Sequence, residues 1–230
     1  MQAAARPIQP GERAPGFVLA AVNREGTVSL QDFRGKRALM IGFFRGLHCP
    51  FCRRQIAQLG AAQPALLSHG VETVAVINTP EERARLYFRY RPTPATLLSD
   101  PECATHAAFG VPRIAFLEPG DRSPAQWPAR TPAELFEAAR IDPGGELGSP
   151  ANPMQANEIL NAKDGFELTP TDRQIFAAHG TQLAAHFLID REGVVRWAWT
   201  EAPTSPQELC RFPVLSDMVA AARGMTQLQR

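Results

Sequence analysis

The sequence predicts an α/β fold in which a central mixed sheet is flanked by helices. Three observations carry that prediction. Apolar runs and amphipathic runs alternate from residue 38 to residue 90, the order of a parallel strand–helix–strand unit. Two apolar stretches around Arg191-Glu192-Gly193 make a late hairpin, followed by a final helical pattern. Between the first buried strand and the helix after it lies Arg45-Gly46-Leu47-His48-Cys49-Pro50-Phe51-Cys52, a Cys-x-x-Cys pair at a strand-to-helix turn.

In order along the chain, residues 1–13 read as a loose lead-in. Phe17-Val18-Leu19 and Thr27–Leu30 are short strand candidates around the turn Asn23–Gly26, and residues 31–36 make a further turn. Together they form an N-terminal β extension. Ala38–Phe44 is almost wholly apolar, as a strand buried on both faces must be. Ile56, Leu59, Ala62, Leu66 and Leu67 then recur at helical spacing, and His69-Gly70 ends that helix. Val71–Ile77 is the second central strand. Thr79 as N-cap and Pro80 at the first helical position start a helix that runs to about Tyr90.

Thr96–Ser99 is extended and Pro101–Phe109 helical, with Arg113–Leu117 as one more strand. Residues 118–181 change character: Pro, Gly, Asn and Asp are scattered through them, with helices at Pro132–Arg140 and Asp172–Ala178. A structureless loop of that length is improbable inside a domain, so the segment reads as a partly ordered insertion. His186–Asp190 and Val194–Trp199 form the hairpin, and Pro206–Arg223 the last helix. The whole is one domain over residues 11–223, with the insertion 118–181 inside it.

A chain of 230 residues with a formal net charge of +1 is ample for one core and carries no charge bias towards nucleic acid or a membrane surface. No apolar run approaches the roughly 20 residues of a membrane span. The first ten residues have no basic start and no apolar core of a signal peptide, so the expected compartment is cytoplasmic. Four cysteines are too few for a disulfide scaffold. In a reducing compartment a Cys-x-x-Cys pair is redox-active or metal-binding.

The chemistry favours redox. A cysteine at a helix N-terminus meets free N–H groups and the positive end of the helix dipole, both of which stabilise a thiolate. Arg45, Arg53 and Arg54 add positive potential, and His48 could protonate a leaving thiolate near neutral pH. Spacing i, i+3 lets the pair close a small disulfide, so the candidate catalytic residues are Cys49, Cys52, Arg45 and His48. Zinc held by His48, Cys49 and Cys52 ranks well behind, because no second Cys-x-x-Cys or His pair follows. No cofactor or metal is called for. Cys103 in the Pro101–Phe109 helix and Cys210 in the final helix are expected to be structural.

Ordered along the chain, Pro15-Gly16-Phe17-Val18-Leu19, Phe44–Cys52, Leu98-Ser99-Asp100-Pro101 with Phe109-Gly110-Val111, and Phe187–Arg196 resemble the thioredoxin fold. They are closer to the peroxiredoxin-like branch of the AhpC/TSA superfamily. The resemblance implies a thiol-dependent oxidoreductase that reduces hydroperoxides or disulfides and is regenerated by an external thiol such as thioredoxin or glutathione, with a homodimer among the assemblies it allows. On the thioredoxin model Cys49 attacks and Cys52 resolves; on the peroxiredoxin alignment the roles swap. The alternatives are a disulfide reductase without peroxidase activity, or a non-catalytic redoxin that binds a protein partner. Two departures stand out. Ala184 occupies the register of the thioredoxin-like cis-proline, so a trans peptide is expected there. The arginine that peroxiredoxins carry on the hairpin is also missing, which leaves Arg45 or Arg53 to replace it.

Overall fold

The apolar run Ala38–Phe44 does become a central strand, buried at every position. The structure is a computed structural model that describes residues 6–228; the first five residues of the predicted lead-in lie outside the described part. Its strands are β1 (Val18–Ala21), β2 (Thr27–Ser29), β3 (Ala38–Phe44), β4 (Val71–Ile77), β5 (Thr96–Ser99), β6 (Ala185–Ile189) and β7 (Val195–Thr200). They form one seven-stranded sheet in the order β2-β1-β5-β4-β3-β6-β7. β3 pairs in parallel with β4 and antiparallel with β6, so the sheet is mixed as expected. The β1–β2 extension joins it through an antiparallel pairing of β1 with β5.

The helices are α1 (Pro50–Leu67), α2 (Glu81–Arg89), α3 (Ala104–Ala108), α4 (Ala133–Glu137), α5 (Pro153–Lys163), α6 (Pro170–His179) and α7 (Leu215–Leu228). Alternation along β3 divides the core in two. Met40 and Phe44 join Ile56 and Leu59 of α1 and Met218 of α7. Leu39, Ile41 and Phe43 face the other side with Phe17, Phe109 and Phe187. Period-two alternation is what lets one strand serve both layers. The parallel pairing of β3, β4 and β5 puts the end of β3, and with it the cysteine turn, at the carboxyl edge of those strands.

Several boundaries differ from expectation. α2 starts one residue later, with Pro80 as its cap; Thr79 is not idle, since its hydroxyl accepts the Leu47 amide at 3.0 Å. α3 begins only at Ala104, because Cys103 sits in the left-handed region at φ 54°. Residues 113–117 form no strand, only isolated bridges to Gln182 and Thr131. Within residues 118–181, α5 was not foreseen, although Asn152 caps it through the Gln155 amide and Pro153 opens it. The largest correction is at the C-terminus. Pro206–Glu208 is one 3-10 turn and the last helix starts at Leu215. Pro213 has no N–H to give and restricts Phe212 before it, so no helix runs through them. Cys210 therefore lies in a loop.

Candidate active site

The turn between β3 and α1 is pinned at several of its peptides. Gly46 lies so close to the α2 approach that a Cβ there would fall 2.6 Å from Asn78 Oδ1 and 2.8 Å from Thr79 Oγ1. The Cys49 amide donates to the Gly46 carbonyl at 3.0 Å. Arg53 Nη1 donates to the Leu47 carbonyl at 2.6 Å, and Asn161 Nδ2 to the His48 carbonyl at 3.2 Å. Cys49 is then the N-cap of α1, with Pro50 as the first helical residue. Its sulfur accepts the Cys52 amide at 3.2 Å. A helix N-terminus has unfilled donors at this point, and here a sulfur fills one.

Arg45 organises the rest. It is only 7 % exposed. Its Nη1 and Nη2 fork onto Glu201 Oε2 and Oε1, each at 2.8 Å, and Nη1 also reaches the Gln182 carbonyl at 3.0 Å. The other edge of the guanidinium faces sulfur: Nε lies 3.5 Å from Cys49 Sγ and Nη2 3.7 Å from Cys210 Sγ. Glu201 is wholly buried. Besides Arg45 it accepts the Ala184 amide (2.8 Å) and the Cys210 amide (2.7 Å). A buried carboxylate is tolerable only with this many donors.

These surroundings separate the thiols. Burial pushes the Cys49 thiol up, but the hydrogen bond with the Cys52 thiol, the Arg45 charge and the Cys52 amide outweigh it and bring the value down to about 6. Cys52 goes the other way: burial and the neighbouring Cys49 hold it well above the usual thiol range. Burial does the same to Cys210 against the pull of Arg45. One guanidinium thus supports one thiolate, on Cys49. Cys49 lines a small cleft of about 40 Å³ with Arg45, Cys210, Phe136, Asn157 and Phe176; Cys52 does not reach it. Residues of the 118–181 segment roof that cleft.

The other candidates have different positions. His48 packs at a tilt against Phe176, 5.1 Å between ring centroids, and neither ring nitrogen has a hydrogen-bond partner. Burial and Arg45 lower its pKa to about 3, so it stays neutral and the expected cationic donor is absent. Arg53 and Arg54 turn away from the sulfurs. Arg53 binds Asn161 Oδ1 at 2.9 Å and Asp164 at 2.7 Å and stacks on Phe166, and Arg54 binds Glu146 and Asp164. They fasten the segment around α5 to the start of α1. Cys103 is buried and its thiol is raised to about 11, first by burial. The peptide before Ala184 is trans; among the described residues only Trp127–Pro128 is cis. Glu201 escaped the sequence reading because nothing local marks it, and Cys210, expected to be a structural residue of the final helix, instead lies in a loop with its sulfur 3.7 Å from Arg45 Nη2.

The family model described as "AhpC/TSA family" matches residues 10–139, more than half of the chain and a stretch that includes Arg45, Cys49 and Cys52. The chain belongs to the AhpC/TSA family. This AhpC/TSA protein is 30 % identical over 105 residues to a putative peroxiredoxin bcp of Haemophilus influenzae, which is 46 % of the chain and 66 % of that relative, just under two thirds of its length. Its fold is similar to a reduced Plasmodium vivax 2-Cys peroxiredoxin (TM-score 0.57, 16 % identity, 96 % of this chain and 98 % of that one). It is also similar to peroxidoxin BcpB of Mycobacterium tuberculosis (TM-score 0.55, 13 % identity, 95 % and 98 %). At such identities the likeness is one of fold, that of the thioredoxin-like peroxiredoxins. Glu201 and Cys210 lie beyond the family-matched residues. No helix among the described residues is long and apolar enough to cross a membrane.

Proposed function

We propose that the chain is a thiol-dependent peroxidase of peroxiredoxin-like type in which Cys49 is the attacking residue. The observation that carries this reading is Cys49 itself: its sulfur caps α1 and lies 3.5 Å from Arg45 Nε, and the residue lines the cleft. The Cys49 thiolate attacks one peroxide oxygen and the O–O bond breaks. Cys49 becomes a sulfenic acid, and the second oxygen leaves as water or an alcohol once it takes up a proton. The Cys52 thiol then condenses with the sulfenic acid, releasing water and forming the Cys49–Cys52 disulfide. An external thiol supplies the two electrons that reopen it. Arg45 holds charge on the attacking sulfur before the reaction and faces the developing oxyanion during it. His48, neutral and packed on Phe176, orients the turn and carries no charge in this scheme.

The assignment of Cys49 follows the thioredoxin order of roles, which keeps a second reading in play: a disulfide reductase with no peroxidase activity. The two separate on substrate. Hydrogen peroxide turnover with dithiothreitol is expected to vanish in Cys49→Ser. Cys52→Ser is expected to keep one oxidation event per chain, trapped as a sulfenic acid by dimedone. Sulfenic acid on Cys52 in the Cys49→Ser protein would reverse the assignment. Reduction of insulin disulfides without any peroxide turnover would select the second reading.

A further inference from the structure

The Cys49–Cys52 pair is badly placed for its own regeneration. Cys49 is 1 % exposed and Cys52 fully buried. Cys52 borders neither of the two cavities at this end of α1. A reducing thiolate must approach a disulfide sulfur in line; neither cavity reaches Cys52, and Cys49 is met only by the cleft of about 40 Å³, which has room for a peroxide but not for a bulkier thiol.

Cys210 stands between the two cavities. It lines the 40 Å³ cleft with Cys49 and Arg45. It also lines an open cleft of about 210 Å³ bounded by Phe51, Gln55, Gln58, Arg211 and Phe212. Its sulfur and that of Cys49 share the Nε–Nη2 edge of one guanidinium, at 3.7 and 3.5 Å. It belongs to no helix or strand. Its φ of 61° turns its amide onto Glu201 Oε1.

We propose that Cys210 is a third redox residue, which takes over the Cys49 end of the Cys49–Cys52 disulfide and presents it to a small thiol in the open cleft. This rests on the reading that Cys49 and Cys52 form the primary disulfide. The Cys210 sulfur attacks Cys49 Sγ; the Cys49–Cys52 bond breaks, a Cys49–Cys210 bond forms, and Cys52 leaves with the proton that Cys210 gives up. A thiol from the open cleft then attacks Cys210 Sγ, giving a mixed disulfide on Cys210 and the Cys49 thiolate. A second thiol releases Cys210 and completes the two-electron reduction. Arg45 fits the sequence of events. While Cys49 is a thiolate it holds that charge; once Cys49 is oxidised the same edge is free to stabilise a thiolate on Cys210. The neighbouring Cys49 charge is also one of the causes that raise the Cys210 thiol, and oxidation removes it.

The test uses no peroxide, so it stands apart from the peroxidase reading. Full-length protein is oxidised with diamide, treated briefly with glutathione, quenched in acid, alkylated and digested with trypsin. Glutathione is expected on Cys210, together with a disulfide linking the peptide Gly46–Arg53 to the peptide Trp197–Arg211 through Cys49. In Cys210→Ser, reduction of the Cys49–Cys52 disulfide by glutathione is expected to slow about tenfold or more. Glutathione on Cys49 or Cys52 with no cross-linked peptide overturns the proposal. So does wild-type reduction kinetics in the variant, or the lack of any Cys49–Cys52 disulfide after diamide. The mapping is done on the unaltered chain, so a variant that folds poorly does not remove the test.

Discussion

Arg45 serves two negative groups at once. Its fork neutralises Glu201, and what remains of its field falls on sulfur. Burial alone would raise all three nearby thiols; only Cys49, which adds the Cys52 amide and thiol to the arginine, ends below its ordinary value, at about 6. The ultraviolet absorbance of thiolate is therefore expected to show a step near pH 6 in the wild type. In Arg45→Met that step should move up by about one unit or more, since each unit is about 1.4 kcal/mol of lost charge stabilisation. A step that stays in place would mean that the helix end, and not Arg45, activates the thiol. The Cys-x-x-Cys pair, the strand before it and Arg45 were legible in the sequence because they are local. Glu201 was not, because it lies 156 residues from Arg45 and no local pattern pairs a buried acid with a distant base.

At the scale of elements, the start of α1 is clamped from outside. Arg53 is reached by the Leu47 carbonyl, Asn161, Asp164 and the Phe166 ring, so a single side chain joins the cysteine turn to α5. Arg53→Met should lower the urea midpoint by an amount worth about 2–4 kcal/mol, since it strips buried partners of their donor. It should also make the α5 amides exchange faster than those of β3. Equal loss of protection in both would show that the segment and the sheet unfold as one unit. Periodicity and caps disclosed most of these elements; the roles of Arg53 and Arg54 in fastening the segment were missed, since a sequence shows their charge but not its direction. The final helix was overextended for a different reason. Apolar residues at helical spacing continue through Leu209, but Pro213 breaks the backbone that would carry them, and that break is what puts Cys210 beside Cys49.

For the whole molecule, charge on burial sets the response to pH. His48 and His186 are enclosed as neutral rings and both are lowered to about 3, in each case first by burial. Their folded values lie below the unfolded one, so the unfolded chain binds protons first and stability falls as pH drops below about 6.5. At pH 5 this costs about 2 kcal/mol per histidine. Cys49, also depressed, adds stability in full above its unfolded value, and that contribution fades as pH falls towards 6. All three groups act in the same direction, so stability should rise from pH 5 to about pH 8.5. His186 packs against Phe44, Trp199 and Phe212 and has no hydrogen-bond partner for its ring nitrogens. His186→Phe should therefore remove about 2 kcal/mol of the loss between pH 7.5 and pH 5 as measured by urea unfolding. An unchanged slope would show that the ring is protonated in the folded state.

Ala184 occupies the place where thioredoxin-like chains carry their proline, and its backbone N–H is spent on Glu201 Oε2 at 2.8 Å. Proline has no such hydrogen to offer. The missing proline and the buried acid are thus one trait, not two. A lineage that regained proline at 184 would leave Glu201 short of a donor and Arg45 with a weakened counter-ion, while one that lost Glu201 would no longer need an N–H there. Positions 45, 184 and 201 are therefore expected to change together or not at all among relatives, and their joint state marks which kind of thiol site a given sequence builds.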